Sequence, residues 1–140
     1  MSPPMLLERV SAELGNMRER VLIIEDEPML ADALSEFLSS QGYDVHCAAE
    51  REQAEALLAH HVYALVITDL ALSPLGLSGV DVLDCIADRA TRPKVIVYSG
   101  HVDPELTSRL EPHCVDVFLQ KPQPLKEVAR VAAFLLGHPA

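Results

Sequence analysis

The sequence predicts an α/β domain of three layers, a parallel sheet held between two layers of helices. Three observations carry that reading. From residue 20 onward short aliphatic runs alternate with stretches of helical spacing, and the alternation repeats five times. Several of the runs are almost uninterrupted in hydrophobicity, the pattern of strands covered on both faces. The 140 residues, 49% hydrophobic and 23% charged, suffice for one core of ordinary size.

The first strand is VLII at 21–24, and Glu25, Asp26, Glu27 and Pro28 follow at once. Residues 28–40 place Leu30, Leu34, Phe37 and Leu38 on one side of a helix, with Asp32, Ser35 and Glu36 opposite. VHCA at 45–48 is the second strand, and residues 50–60 repeat Ala54, Leu57 and Leu58 at helical spacing. ALVIT at 64–68 is the third strand, and Val80, Leu83 and Ile86 mark the helix after it. VIVY at 95–98 and VDVFL at 115–119 are the fourth and fifth. The last helix, from about 124 to 136, puts Leu125, Val128, Val131 and Leu135 on one face. Pro124 stands in its first turn, where a missing N–H costs nothing, and Gly137 stops it. Strands that recur across helical connections run parallel.

Residues 1–19 precede this alternation. Leu6, Val10 and Leu14 stand at i, i+4 and i+8, so a short amphipathic helix fits before Gly15 and Asn16. The expected division is a tail at 1–19 and one domain at 20–137.

Composition excludes several functions. A net charge of −10 repels nucleic-acid phosphates, so direct nucleic-acid binding is not expected. No apolar run approaches the roughly 18 residues that span a bilayer. The start, MSPPMLLERV, lacks the basic opening and long apolar stretch of a secretion signal. A cytoplasmic protein off the membrane is expected. Cys47, Cys85 and Cys114 form no CxxC pair and read as three reduced, mostly buried thiols. His60, His61 and His113 show no metal-site spacing.

In an open parallel sheet, ligands bind beyond the carboxyl ends of the strands. Glu25, Asp26 and Glu27 follow the first strand, and Asp69 follows the third, in VITDLAL. Ser99 and Gly100 follow the fourth, in VYSGH, and Lys121 and Pro122 the fifth, in FLQKP. Each alone is ordinary turn or cap chemistry. Together they bring carboxylates, a hydroxyl and an ammonium group to one edge. Packed carboxylates raise one another's pKa and repel an anionic reactant. A hard divalent cation with oxygen ligands answers both problems. The aliphatic run thus anchors the strand while its charges line a cation site, with Glu27 facing solvent or favouring the helix start.

These motifs, in this order, resemble the receiver domain of two-component response regulators over about residues 20–137. IIEDEP is similar to the family's acidic pair, at Glu25 and Asp26, and ITDL carries Asp69 at the phosphoacceptor position. YSG carries Ser99 at the Ser/Thr position, and FLQKP carries Lys121 at the lysine position, with Phe118 as the switch aromatic. The resemblance implies a flavodoxin-like, doubly wound sheet of five parallel strands in order 2-1-3-4-5, with helices on both faces. It implies Mg²⁺ held by Asp26, Asp69 and the backbone carbonyl of Ala71, with Glu25 acting through water. It also implies a cis Lys121–Pro122 bond. Asp69 would take a phosphoryl group from a histidine kinase or histidine phosphotransfer protein, assisted by Lys121 and Ser99. Ser99 and Phe118 would then switch a surface of the fourth helix, fifth strand and fifth helix, about residues 103–136. Such a chain phosphorylates and dephosphorylates itself rather than turning over substrate. A stand-alone regulator without an output domain is expected, with its downstream protein partner unnamed and a homodimer allowed.

The sequence departs from the family pattern at three places. Glu25 replaces the commoner Asp, the loop DLALSPLGLSG reaches Gly79 two residues late, and Phe118 lacks a tyrosine hydroxyl. Ala71 and His101, two residues beyond Asp69 and Ser99, would flank the path of hydrolytic water. An aspartate-nucleophile phosphatase of the haloacid dehalogenase kind needs a second Asp where Ala71 stands. A dinucleotide binder needs a glycine turn that EDEPML lacks. An unphosphorylated interaction module is the remaining alternative.

Overall fold

The central strand, β1 (Arg20–Ile24), is sealed on both faces: Val21, Leu22, Ile23 and Ile24 are at most 1% exposed. In this computed structural model the described residues are 18–69, 92–100 and 115–138, with Ile86, Pro104 and Ser108. They form α1 (Pro28–Ser40), β2 (Asp44–Ala48), α2 (Arg51–His60), β3 (Leu65–Thr68), β4 (Lys94–Ser99), β5 (Val117–Gln120) and α3 (Leu125–Leu135). The strands are all parallel, in order β2-β1-β3-β4-β5, as the resemblance implied.

Side chains alternate across a strand, so a run buried throughout must feed two cores. Leu22, Ile24, Val66, Val95 and Val97 meet Ala54 and Leu58 of α2 and the buried, helical Ile86 on one face. Val21, Ile23, Leu65, Ile67 and Ile96 meet Leu34 and Leu38 of α1, and Val128, Val131 and Ala132 of α3, on the other. Each fully buried Leu, Ile or Val contributes about 1.5–3 kcal/mol. That two-sided burial holds the strand ends in place.

Two helices end at a left-handed glycine. Gly42, at φ +99°, follows α1, and Gly137, at φ +78°, follows α3. At the second, the Gly137 N–H donates to the Phe134 carbonyl at 3.1 Å and the His138 N–H to Ala133 at 2.9 Å, a Schellman closure that needs the left-handed glycine.

Several expectations are corrected. The fifth strand starts at Val117, not 115, because Asp116 caps the sheet edge. Its carboxylate accepts the Val95 N–H at 2.8 Å, and its own N–H donates to the Val95 carbonyl at 2.9 Å. Pro124 is the N-cap of α3 rather than part of its first turn. Its carbonyl accepts from Glu127 and Val128. Cys47 is exposed, because β2 is an edge strand. The expectations for Leu6, Val10, Leu14, Ala71, Gly79, Val80, Leu83, Cys85, His101, His113 and Cys114 lie outside the described residues, as does most of the fourth helix.

The amino edge of the sheet carries a small aromatic cluster. His46 hydrogen-bonds the Tyr63 hydroxyl at 2.7 Å, and the rings of His46 and His61 stand edge to face at 5.0 Å. Arg20 reaches both Asp44, at 3.2 Å, and His61 Nδ1, at 3.4 Å. Partial burial, then the Arg20 guanidinium and the neighbouring His46 and His60, hold the His61 imidazole below its ordinary 6.5, against a smaller opposing pull from Asp44. A depressed folded pKa means the unfolded chain binds the proton first. His61 therefore favours folding above about 6.5, and that contribution is lost as pH falls toward its lowered value. The expected result is a thermal midpoint that drops on acidification below that point, with a smaller drop in His61→Gln. Superimposable pH profiles for the two proteins would contradict it.

Candidate functional site

The hydrogen-bond ladders of β1, β3 and β5 run one residue past the strand, and that extension builds the site. The Glu25 N–H donates to the Ala48 carbonyl at 2.9 Å, and the Asp69 N–H to Ile24 at 3.1 Å. The Lys121 N–H donates to the Ser99 carbonyl at 2.8 Å. Glu25, Asp69 and Lys121, just past β1, β3 and β5, and Ser99, the last residue of β4, are thereby fixed at one carboxyl edge, as the sequence predicts.

Strand parity then divides them between faces. Glu25, Asp69, Tyr98 and Lys121 continue the α1/α3 side of their strands, while Thr68, Ser99 and Phe118 belong to the α2 side. Lys121 Nζ donates to Glu25 Oε1 at 2.5 Å and to Asp69 Oδ2 at 2.7 Å. Glu25 is 4% exposed and Asp69 8%. Asp26 is half-buried beside them. The Lys121–Pro122 bond is cis, as expected. Glu27 is exposed at the N-cap of α1 without a side-chain cap bond, so it faces solvent.

Electrostatics follow from this sharing. Burial lifts the Glu25 carboxyl above the usual range, against the Lys121 ammonium and the Glu27 N–H at 3.2 Å, and Asp69 adds to the lift. Burial would depress Lys121, but its hydrogen bonds to Asp69 and Glu25 outweigh that and hold its pKa raised. The lysine stays charged. One ammonium divided between two acids returns to Glu25 less than burial removes.

Glu25, Asp26 and Asp69 each offer a carboxylate oxygen, all within 4.8 Å of one another. Three hard oxygen donors at that spacing fit Mg²⁺, which takes oxygen ligands and keeps several waters. Ala71, the fourth expected donor, lies outside the described residues. Glu25 is also engaged directly by the same lysine that holds Asp69. Ser99 is buried at the end of β4, 3% exposed, and Phe118 is half-buried against the α2-side core.

Two neighbours were missed in the sequence. The Tyr98 ring centre lies 5.7 Å from Lys121 Nζ, and its hydroxyl accepts the Gln123 N–H at 2.9 Å, tying down the loop after the lysine. The buried Thr68 donates its hydroxyl to the Asp69 carbonyl at 3.0 Å. Alternation along VIVYS would have put Tyr98 on the lysine's face. The Thr68 contact has no such signal.

A family model described as the response regulator receiver domain matches residues 21–133. The DNA-binding response regulator MtrA of Mycolicibacterium smegmatis is 29% identical over 122 residues, covering 87% of this chain and 53% of MtrA. The chain spans between a third and about a half of the length of the curated relatives it matches first. The HemR receiver domain of Leptospira biflexa, solved non-phosphorylated, superposes with a TM-score of 0.79 at 25% identity, covering 88% of this chain and 98% of that one. The response regulator TrrA of Thermotoga maritima, solved in complex with Mg²⁺-BeF, gives a TM-score of 0.71 at 25% identity, covering 84% and 98%. Among the described residues no helix is long and apolar enough to cross a membrane.

Proposed function

The chain belongs to the response regulator receiver domain family, and from that premise we propose that Asp69 accepts a phosphoryl group from a histidine kinase or histidine phosphotransfer protein. The observation that carries this is the single ammonium shared by two buried carboxylates, Lys121 with Glu25 and Asp69. An Asp69 oxygen attacks phosphorus as the bond from phosphorus to the donor's imidazole nitrogen breaks, and the imidazole leaves with the electron pair. Bound Mg²⁺ supplies positive charge for the phosphoryl oxygens and for the clustered acids. Asp26 and Asp69 would hold it, with Glu25 acting through water. That TrrA is solved with Mg²⁺-BeF supports this reading.

Lys121 already points at Asp69, so its charge is preorganised for oxygens carried there. Ser99, buried at the same edge, offers a hydroxyl to the phosphoryl group. Its displacement opens room on the α2 side of the sheet, where Phe118 sits two pairs back along β4 and β5, opposite Val97. The binding face of β5 and the helices beside it changes accordingly. Water later hydrolyses the acyl phosphate, so the protein is an acceptor with a lifetime and not a turnover enzyme.

Incubation with acetyl phosphate, followed by intact-protein mass spectrometry, tests the reading. One added phosphoryl mass is expected with Mg²⁺, and none in EDTA or in Asp69→Ala. Wild-type protein that stays unmodified under every condition would leave an unphosphorylated interaction module instead.

A further inference from the structure

Between the end of β5 at Gln120 and the start of α3 at Leu125, Lys121 stands on a short linker, Lys121-Pro122-Gln123-Pro124. Proline carries no backbone N–H, so only Lys121 and Gln123 have one to give. Both are accepted by the last two residues of β4. The Lys121 N–H donates to the Ser99 carbonyl at 2.8 Å, the final rung of the sheet ladder. The Gln123 N–H donates to the Tyr98 hydroxyl at 2.9 Å, so a side chain takes over where the ladder stops. The Gln123 side-chain amide turns back to the Gln120 carbonyl at 2.9 Å and closes the linker on itself.

Tyr98 is a firm anchor. It is 3% exposed and packs in the α1/α3-side core with Leu34 and Val128. Its ring centre lies 5.7 Å from Lys121 Nζ, within the range of a cation–π attraction. One side chain thus meets both the backbone behind the lysine and the charge at its tip. The linker also borders a cleft of about 440 Å³ with Met29 and Leu30, so close packing does not hold it there. The lysine stem is flexible, and its ammonium already lies nearer Glu25, at 2.5 Å, than Asp69, at 2.7 Å. A loosened linker would let it settle on Glu25 alone.

We propose that Tyr98 is a positioning residue for phosphoryl transfer, anchoring the linker through Gln123 so that the Lys121 ammonium stays on Asp69. The proposal rests on the receiver reading of Asp69 and adds no chemical step to it. Phosphoryl transfer gains its rate from such placement of fixed charge.

Tyr98→Phe keeps the ring and loses the hydroxyl, whereas Tyr98→Leu loses both. With acetyl phosphate at saturating Mg²⁺, Tyr98→Phe should lower the rate constant of phosphorylation about 5-fold, the worth of one ordinary hydrogen bond. Tyr98→Leu should lower it a further 2- to 5-fold or about that, as the ring's attraction is lost. All of the protein should still react, and the half-saturating Mg²⁺ should not rise, since neither variant removes a ligand. A merely structural tyrosine would lower the thermal midpoint and leave the rate constant where it was. A urea double-mutant cycle reads the same coupling without any phosphoryl donor. Tyr98→Phe should shift the unfolding midpoint less than about half as far in Lys121→Met as in wild type. Lys121→Met combined with Glu25→Gln serves as the second background where the single variant is too unstable to titrate. A wild-type rate constant in Tyr98→Phe, or equal midpoint shifts in both backgrounds, overturns the proposal. A wild-type chain that takes no phosphoryl group defeats the receiver reading instead, and the cycle then decides alone whether Tyr98 holds the lysine.

Discussion

Lys121→Met is expected to destabilise the metal-free domain by about 3–5 kcal/mol, the cost of stranding buried charge when one partner of an ion pair is removed. The methionine keeps much of the apolar stem, so packing changes little. What goes is the ammonium that both Glu25 and Asp69 hold, at 2.5 and 2.7 Å. Both acids are nearly sealed from water, at 4% and 8% exposure. Partial protonation of Glu25, whose pKa burial already raises, caps the loss. Two companion measurements separate charge from packing. Glu25→Gln in the Lys121→Met background should return part of the stability, as neighbours in one network are not additive. Added Mg²⁺ should narrow the gap, because it supplies the positive charge the variant lacks and no longer competes with an ammonium. Urea unfolding at fixed pH reads all three. A Lys121→Met midpoint equal to wild type would show that the lysine does not compensate the two acids.

The strands were legible because burial on both faces writes unbroken aliphatic runs, and VLII, ALVIT and VIVY have little else to be. The positions of Asp69 and Ser99 were legible for the same reason, since each directly follows such a run, and Lys121 follows the end of VDVFL by two residues; open parallel sheets expose those ends together. Val115 and Asp116 were misplaced because VDVFL reads as continuous alternation, whereas Asp116 spends its side chain on the Val95 N–H. Cys47 was misjudged because thiols favour interiors in general, and only the strand order makes β2 an edge. The pairing of Glu25 with Lys121 joins residues 96 apart. Sequence gives each group an edge but not the choice among three acids that one ammonium makes. That choice depends on parity and reach, which put Glu25 and Asp69 on the lysine's face of the sheet.

The same geometry makes Asp26 the acid with most to lose as a ligand. It is half-buried where Glu25 and Asp69 are buried, and those two already share Lys121. A cation arriving from solvent meets in Asp26 the most accessible of the three acids, whose oxygens lie within 4.8 Å of one another. Asp26→Ala should therefore weaken Mg²⁺ binding by at least the 10–100-fold that follows loss of even an outer-sphere partner. Mass action turns this into a stability measurement. At a Mg²⁺ concentration of about 100 Kd wild-type protein gains about 2.7 kcal/mol, and a 100-fold weaker site gains only about 0.4 kcal/mol. The thermal midpoint of wild type should climb steeply through that range while the variant's barely moves. Phosphoryl incorporation from acetyl phosphate should need correspondingly more Mg²⁺. A variant that titrates at the wild-type Mg²⁺ concentration would remove Asp26 from the ligand set and leave the cation, if held at all, to Glu25 and Asp69.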